Sequence, residues 1–151
     1  MLSSPTEYDF ISQDKKISKS FDKVQSLISE LNGHDIPPET EAVIQLEIDK
    51  INNAPQEFKA YRKVLRKAYA QITTSVRKDM GLVPKNYYMI LGMTLGMAVF
   101  GVPMGMAFGI ALGNIGLMSI GLPIGMGAGL AIGAAWDAKL AQEGKQLSIE
   151  N

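Results

Sequence analysis

The chain has 151 residues, 15 acidic and 15 basic side chains, a formal net charge of zero and no cysteine. Its length suits one compact domain, or one small domain with an appendage, and the lack of cysteine excludes disulfides, thiol catalysis and thiolate metal sites. We expect no nucleic-acid partner, because the chain is neutral and no aromatic rings accompany its basic run. The charges are unevenly placed, since no Asp, Glu, Lys, Arg or His occurs in the 51 residues between Lys85 and Asp137.

The first 86 residues carry three apolar stripes with helical spacing. Their members are Ile17, Phe21, Val24, Ile28 and Leu31; Val43, Ile44, Ile48 and Ile51; and Phe58, Tyr61, Leu65, Ala68, Ile72 and Val76. Turn residues separate the stripes at 32–38 and 52–55, so the pattern predicts three amphipathic helices in a small bundle or antiparallel coiled coil. The only histidine, His34, lies in the first turn, where we expect a solvated side chain without metal-ligating companions.

Charge differs between the second and third predicted helices. Seven acids and a single base occur from Glu30 to Glu57, whereas seven bases and no acid occur from Lys59 to Lys78. The two helices can attract each other, and the basic helix can also lie near anionic lipid headgroups. Both can hold together, because they use different faces of the basic helix. The residues predicted to contact headgroups are Lys59, Arg62, Lys63, Arg66, Lys67, Arg77, Lys78 and Lys85.

The uncharged stretch is too long for one membrane span and suits two. Polar residues at 113–116 divide it into predicted spans at 87–112 and 115–136, with Tyr87, Tyr88 and Trp136 at one interface. Flanking lysines and arginines predict that both termini are cytoplasmic, in a bacterial inner membrane. Since the N-terminus has no signal-peptide pattern, the hairpin is the expected targeting element. Asp137 is interpreted as a polar boundary residue.

These patterns together predict an all-α protein with three parts. Residues 1–86 form a cytoplasmic helical domain, residues 87–136 a transmembrane hairpin, and residues 137–151 a polar C-terminal tail.

Glycines recur every four residues in both predicted spans. The segment GVPMGMAFGIALGN at 101–114 is matched by GLPIGMGAGLAIGA at 121–134. The predicted helix-packing residues are Gly92, Gly96, Gly101, Gly105, Gly109, Gly113, Gly121, Gly125, Gly129 and Gly133. Such stripes let helix backbones approach closely in a membrane, and this contact offsets the low helix propensity of glycine.

Small residues also occupy a second face of the second span, at Gly127, Ala131, Ala134 and Ala135. One small face can pack within the hairpin and the other on a neighbouring subunit, which predicts a homo-oligomer. The alternative is a monomeric hairpin that uses its glycines wholly within one chain.

This stretch, from about Gly92 to Trp136, resembles the glycine-zipper membrane hairpins, small bacterial and organellar proteins with repeated Gly-x-x-x-Gly spans. The resemblance implies oligomerisation, a role in membrane assembly and, in some members, pore formation. It does not extend to residues 1–86.

Pro103 and Pro123 fall at similar depth in the predicted hairpin, where they would kink the two helices. The kinks can act as hinges or shape a static packing surface. A second topology has the helices broken at Gly101–Pro103 and Gly121–Pro123, giving short re-entrant pieces sheltered by an oligomer.

Chemical function finds little support in the sequence. Met89, Met93 and Met97 could offer soft thioether ligands to Cu(I), but no cysteine or histidine accompanies them, and flexible packing is the preferred interpretation. No acid or base lies within the spans, and no phosphate loop is present. We therefore expect no enzyme activity, no metal and no cofactor. Two functions remain: a self-assembling pore or channel, or a non-catalytic anchor and scaffold whose cytoplasmic helices bind a protein partner.

Overall fold

The computed structural model describes residues 2–114, 116 and 118–150. The helices are α1 (Lys15–Leu31), α2 (Pro38–Asn52), α3 (Phe58–Met80), α4 (Tyr87–Gly96), α5 (Val102–Ala111) and α6 (Met118–Gln142), and the strands are β1 (Val83–Lys85) and β2 (Gln146–Glu150). A 3₁₀ helix spans Asp9–Gln13 and a π-helical segment spans Met97–Gly101. The all-α prediction is confirmed, since the only sheet in the described residues is the small parallel pair β1–β2.

The chain divides into two compact units. The first unit consists of Met1–Val83 with Leu147–Ile149, and the second consists mainly of Pro84–Gln146.

Local signals set the helix ends of the first unit. The Asp14 carboxylate accepts hydrogen bonds from the backbone N–H groups of Lys16 and Ile17, at 2.7 and 3.2 Å, and so caps α1. Helix α2 begins at Pro38, whose fixed φ suits the first turn. Helix α3 ends at Met80, and the next residue, Gly81, adopts a φ of +69°, a conformation that glycine reaches without steric cost.

The three predicted apolar stripes form most of the core of the first unit. Their buried members are Ile17, Phe21, Val24, Ile28, Leu31, Ile44, Ile48, Ile51, Tyr61, Leu65, Ala68, Ile72 and Val76. Val43 is only partly buried, and Phe58, at the exposed start of α3, packs edge-on against Phe10 with ring centroids 6.1 Å apart. Burial raises the pKa of the Tyr61 hydroxyl to about 12, so this ring is neutral within the core.

Segments outside the stripes complete this core. Leu2 and Ile11 come from the N-terminal region, and Leu147 comes from β2 near the other end of the chain. The backbone N–H of Ser148 donates to the Glu30 carboxylate at 2.6 Å, which fixes β2 beside α1. Within the predicted polar tail, α6 continues to Gln142, and Leu147–Ile149 belong to the first unit.

The second unit contains two helical stretches, Tyr87–Ala111 and Ser119–Gln142, that are long and apolar enough to cross a membrane. The predicted start of the second span at Ile115 lies outside the described residues. Within the turn, the Asn114 side chain accepts a hydrogen bond from the N–H of Gly116 at 2.9 Å.

Neither helical stretch is broken at its proline, so the re-entrant alternative is wrong for this fold. Before Pro103, the helix widens into the π-helical segment, in which the N–H of Val102 donates to the carbonyl of Met97. The wider turn changes which carbonyls accept hydrogen bonds next to Pro103, whose ring nitrogen has no hydrogen to donate. Pro123 lies inside α6 and does not end it.

Candidate functional site

Glycine lines the contact between the two long helical stretches of the second unit. We call this contact the glycine seam, formed by Gly92, Gly96, Gly101, Gly121, Gly125, Gly129 and Gly133. A Cβ placed on Gly96 would lie 2.8 Å from the Cα of Gly129, and one placed on Gly133 would lie 2.6 Å from the Cα of Met89. Real Cβ atoms do not approach backbone so closely, so the helices can lie at this separation only because these positions lack side chains.

Other predicted packing glycines take different positions. Gly105 and Gly109 are buried on α5, and the backbone of Gly105 faces Gly121 across the seam. Gly113, in contrast, lies in the turn with a φ of +61°, and a Cβ there would meet no heavy atom within 4 Å. Its role is to permit the left-handed turn conformation rather than to bring helices together.

Small residues on the outer face of α6 are not part of the seam. A Cβ placed on Gly127 would meet no heavy atom within 4 Å. The side chains of Ala131 and Ala135 are exposed, and that of Ala134 is partly buried. This is the second small face from which the sequence predicts a homo-oligomer, and the homo-oligomer stays a prediction.

The seam and the outer face provide a matched pair of glycines on the same helix. Gly129→Ala should destabilise the hairpin by about 1 to 3 kcal/mol, because the added methyl overlaps the backbone of Gly92 and Gly96. Gly127→Ala should be neutral or stabilising by up to ~1 kcal/mol, because it gains helix propensity without a clash. Thermal unfolding of the full chain in detergent, followed by circular dichroism, measures both. Equal losses of stability in the two variants would contradict the seam.

A buried carboxylate joins the start of the first helical stretch to the end of the second, at the end of the hairpin opposite its turn. Asp137, near the end of α6, is 6% exposed and accepts hydrogen bonds from the N–H groups of Tyr88 and Met89, at 3.0 and 2.8 Å. The first N–H groups of a helix have no intrahelical partner, and the residue preceding α4, Asn86, provides no side-chain cap. Asp137 therefore supplies the N-terminal cap of α4 from another helix, where its charge also complements the helix dipole.

Aromatic residues next to this cap in the sequence pack against one another. The rings of Tyr88 and Trp136 lie 6.2 Å apart and those of Tyr87 and Tyr88 lie 5.1 Å apart, so the structure brings together the three rings predicted to share an interface. The Lys139 ammonium lies 5.9 Å from the centre of the Trp136 ring. The sequence pattern identifies the rings but indicates only a boundary role for Asp137, because its partners are 48 and 49 residues away in the chain.

Removing the carboxylate should loosen this end of the hairpin. Asp137→Ala leaves two N–H groups of α4 without acceptors, and loss of a helix cap costs about 0.5 to 2 kcal/mol. Asp137→Asn keeps one acceptor oxygen and should lose less. The exposed acid Glu143, just beyond the end of the same helix, provides the control: Glu143→Ala should change the melting temperature little. A melting temperature unaffected by Asp137→Ala would show that the cap contributes nothing to the hairpin.

The eight bases predicted to contact headgroups separate into two groups. Five of them, Lys59, Arg62, Lys63, Arg66 and Lys67, line one solvent-open cavity of about 460 Å³ together with Asp14 and Phe58. Arg77 and Lys78 lie in the last turn of α3, and Lys85 lies in β1. The sequence pattern does not distinguish among the eight, whereas the helical fold does, because only the first five share this cavity.

Two further features bear on metal binding: the single histidine and the grouping of the acidic side chains. His34 is exposed in the turn after α1, where its backbone N–H donates to the carbonyl of Leu31. Among residues 2–114, 116 and 118–150, no group of three or more His, Cys, Asp or Glu side chains is placed to hold a metal ion.

Comparison with protein-family models, with curated proteins and with solved structures found no match to this chain. The resemblance to glycine-zipper hairpins therefore stays a prediction from the sequence, and the functional proposal rests on the geometry.

Proposed function

We propose that this chain is a membrane-anchored scaffold. In this proposal the helical hairpin inserts into a bilayer, and the first unit binds a protein partner. The observation that carries this proposal is the exposure of the hairpin. Only 17% of the most apolar part of Tyr87–Ala111 and 22% of that of Ser119–Gln142 are buried, whereas a core helix of a soluble protein would be mostly buried.

The outward surface of the hairpin has the composition of a lipid-facing surface. Its exposed large apolar side chains are Ile90, Leu91, Leu95, Val99, Phe100, Val102, Met104, Met106, Phe108, Ile110, Leu112, Ile120, Leu122, Ile124, Met126, Leu130, Ile132 and Trp136. A contiguous apolar surface of this extent is unfavourable in water and requires either lipid or protein to cover it. The two lengths match the thickness of a bilayer, which favours lipid.

Two observations favour an anchor over a pore. The seam glycines are occupied by backbone within the hairpin, so they are not free to line a path. The hydroxyls of Thr94 and Ser119 donate to nearby carbonyls, of Ile90 at 2.6 Å and Gly116 at 2.8 Å, and so present no polar stripe. Self-assembly and pore formation stay predictions from the sequence. The proposal retains cytoplasmic termini in a bacterial inner membrane, on the placement of lysine and arginine, and a protein partner for the first unit.

Site-directed spin labelling tests the insertion, since the chain has no native cysteine. Nitroxides at Val99 and Ile132, which are exposed and apolar, should be relaxed more strongly by oxygen dissolved in lipid than by a water-soluble nickel chelate. The control is a nitroxide at Lys19, an exposed position of α1, which should show the opposite preference. Preference for the aqueous reagent at Val99 and Ile132 in proteoliposomes would refute membrane insertion.

A further inference from the structure

The basic face of α3 has features that membrane anchoring leaves unexplained. Lys59, Arg62, Lys63, Arg66 and Lys67 are spaced 3, 1, 3 and 1 residues apart, which places them on one side of a helix. The opposite side of the helix carries its buried residues, including Leu65 and Ala68. We define the basic face as these five residues. It lies wholly within the first unit.

The positive charge of this face is uncompensated. Asp14 is the only acid that lines the cavity, and its carboxylate already accepts two backbone hydrogen bonds as the cap of α1. Ion pairs such as those of Lys50 with Glu47 and of Lys145 with Glu143 lie elsewhere, and within the described part of the chain none involves the basic face. The Nε–H of Arg62 is buried and has no hydrogen-bond acceptor.

This arrangement opposes the stability of the helix that carries it. Like charges three and four residues apart repel each other on a helix surface. Lys59 also lies in the first turn of α3, where the helix dipole disfavours cations. A bound anion would reverse both effects and would supply acceptors to the guanidinium group of Arg62.

We propose that the basic face binds a phosphate-bearing ligand. Two arginines one turn apart can each form paired hydrogen bonds with phosphate oxygens, and the three lysines supply point charges around them. Five charges within about two and a half turns match an anion whose negative charge is concentrated, and the cavity volume is that of a small-molecule site. An acidic protein segment would spread its carboxylates over a longer surface than this cavity offers.

The phosphate can belong to a lipid headgroup or to a soluble phosphate compound, and both present the same chemistry to the site. In either case the structure assigns the binding to the five residues of the basic face and not to Lys78 or Lys85, which the sequence pattern groups with them.

A pair of charge-matched variants tests this assignment in the full chain, purified in an uncharged detergent. Lys63→Gln/Lys67→Gln removes two exposed lysines from the basic face, and Lys78→Gln/Lys85→Gln removes two exposed lysines elsewhere. Pyrophosphate binding, measured by isothermal titration calorimetry, represents the soluble source. Retention of phosphatidylglycerol against phosphatidylcholine, counted by native mass spectrometry, represents the headgroup. Circular dichroism spectra equal to wild type establish that each variant is folded.

We expect the Lys63/Lys67 variant to bind one of these two probes at least ~10-fold more weakly than wild type, and the Lys78/Lys85 variant to bind it within about twofold. Loss of pyrophosphate binding identifies a soluble phosphate compound, and loss of phosphatidylglycerol retention alone identifies a headgroup.

Two results would overturn the site. Equal losses in both variants would reflect net charge rather than the basic face. Wild-type protein that binds neither probe would also refute it, and binding of a glutamate-rich peptide in their place would point to a protein partner. Since neither variant alters the hairpin, failure here leaves the anchor proposal standing.

Discussion

Contact between two helix backbones, made possible by glycine, is the interaction on which the second unit depends. In a bilayer, apolar side chains gain nothing by leaving lipid for another helix, so close packing and hydrogen bonds must hold helices together. At Gly96 and Gly129 the approach is so close that even one methyl group would not fit. Glycine lowers the stability of a helix in water. This destabilisation is smaller inside a bilayer, because a backbone N–H or C=O group outside a helix has no water there to bond with.

The same contact determines what the rest of the hairpin can do. Because its glycines face one another, its large side chains must point outward, and the hairpin presents an apolar surface that lipid or protein must cover. At the outer ends of the helices, the Asp137 carboxylate satisfies N–H groups of α4 that no local side chain caps. The seam and this cap are complementary, since one holds the length of the hairpin through packing and the other closes its end through hydrogen bonds.

Periodic features were predictable from the sequence, and contacts between distant residues were not. The apolar stripe from Ile17 to Leu31 identified α1 and its buried face because both follow from a spacing of three and four residues. Likewise, the glycine repeat indicated close helix packing, but the open position Gly127 could be told from the seam position Gly129 only in the folded hairpin. The burial of Leu147 beside the N-terminal helices depends on how the chain returns on itself, and no local pattern records such a return. The basic face was only partly predictable. Its charges are evident in the sequence, but the cavity that they share with Asp14 is visible only in the folded structure.

Backbone-to-backbone contact between the two helices can be observed in a lipid bilayer by magic-angle-spinning NMR. Labelling glycine at Cα and carbonyl carbon in the full chain, reconstituted in proteoliposomes, detects this contact without introducing any side chain. We predict cross-peaks between Gly96 and Gly129 and between Gly101 and Gly121, which persist when labelled chains are diluted with unlabelled ones. Glycine signals with helical chemical shifts but without these cross-peaks, or cross-peaks that vanish on dilution, would contradict the glycine seam, because the helices would then be apart or would touch only between chains.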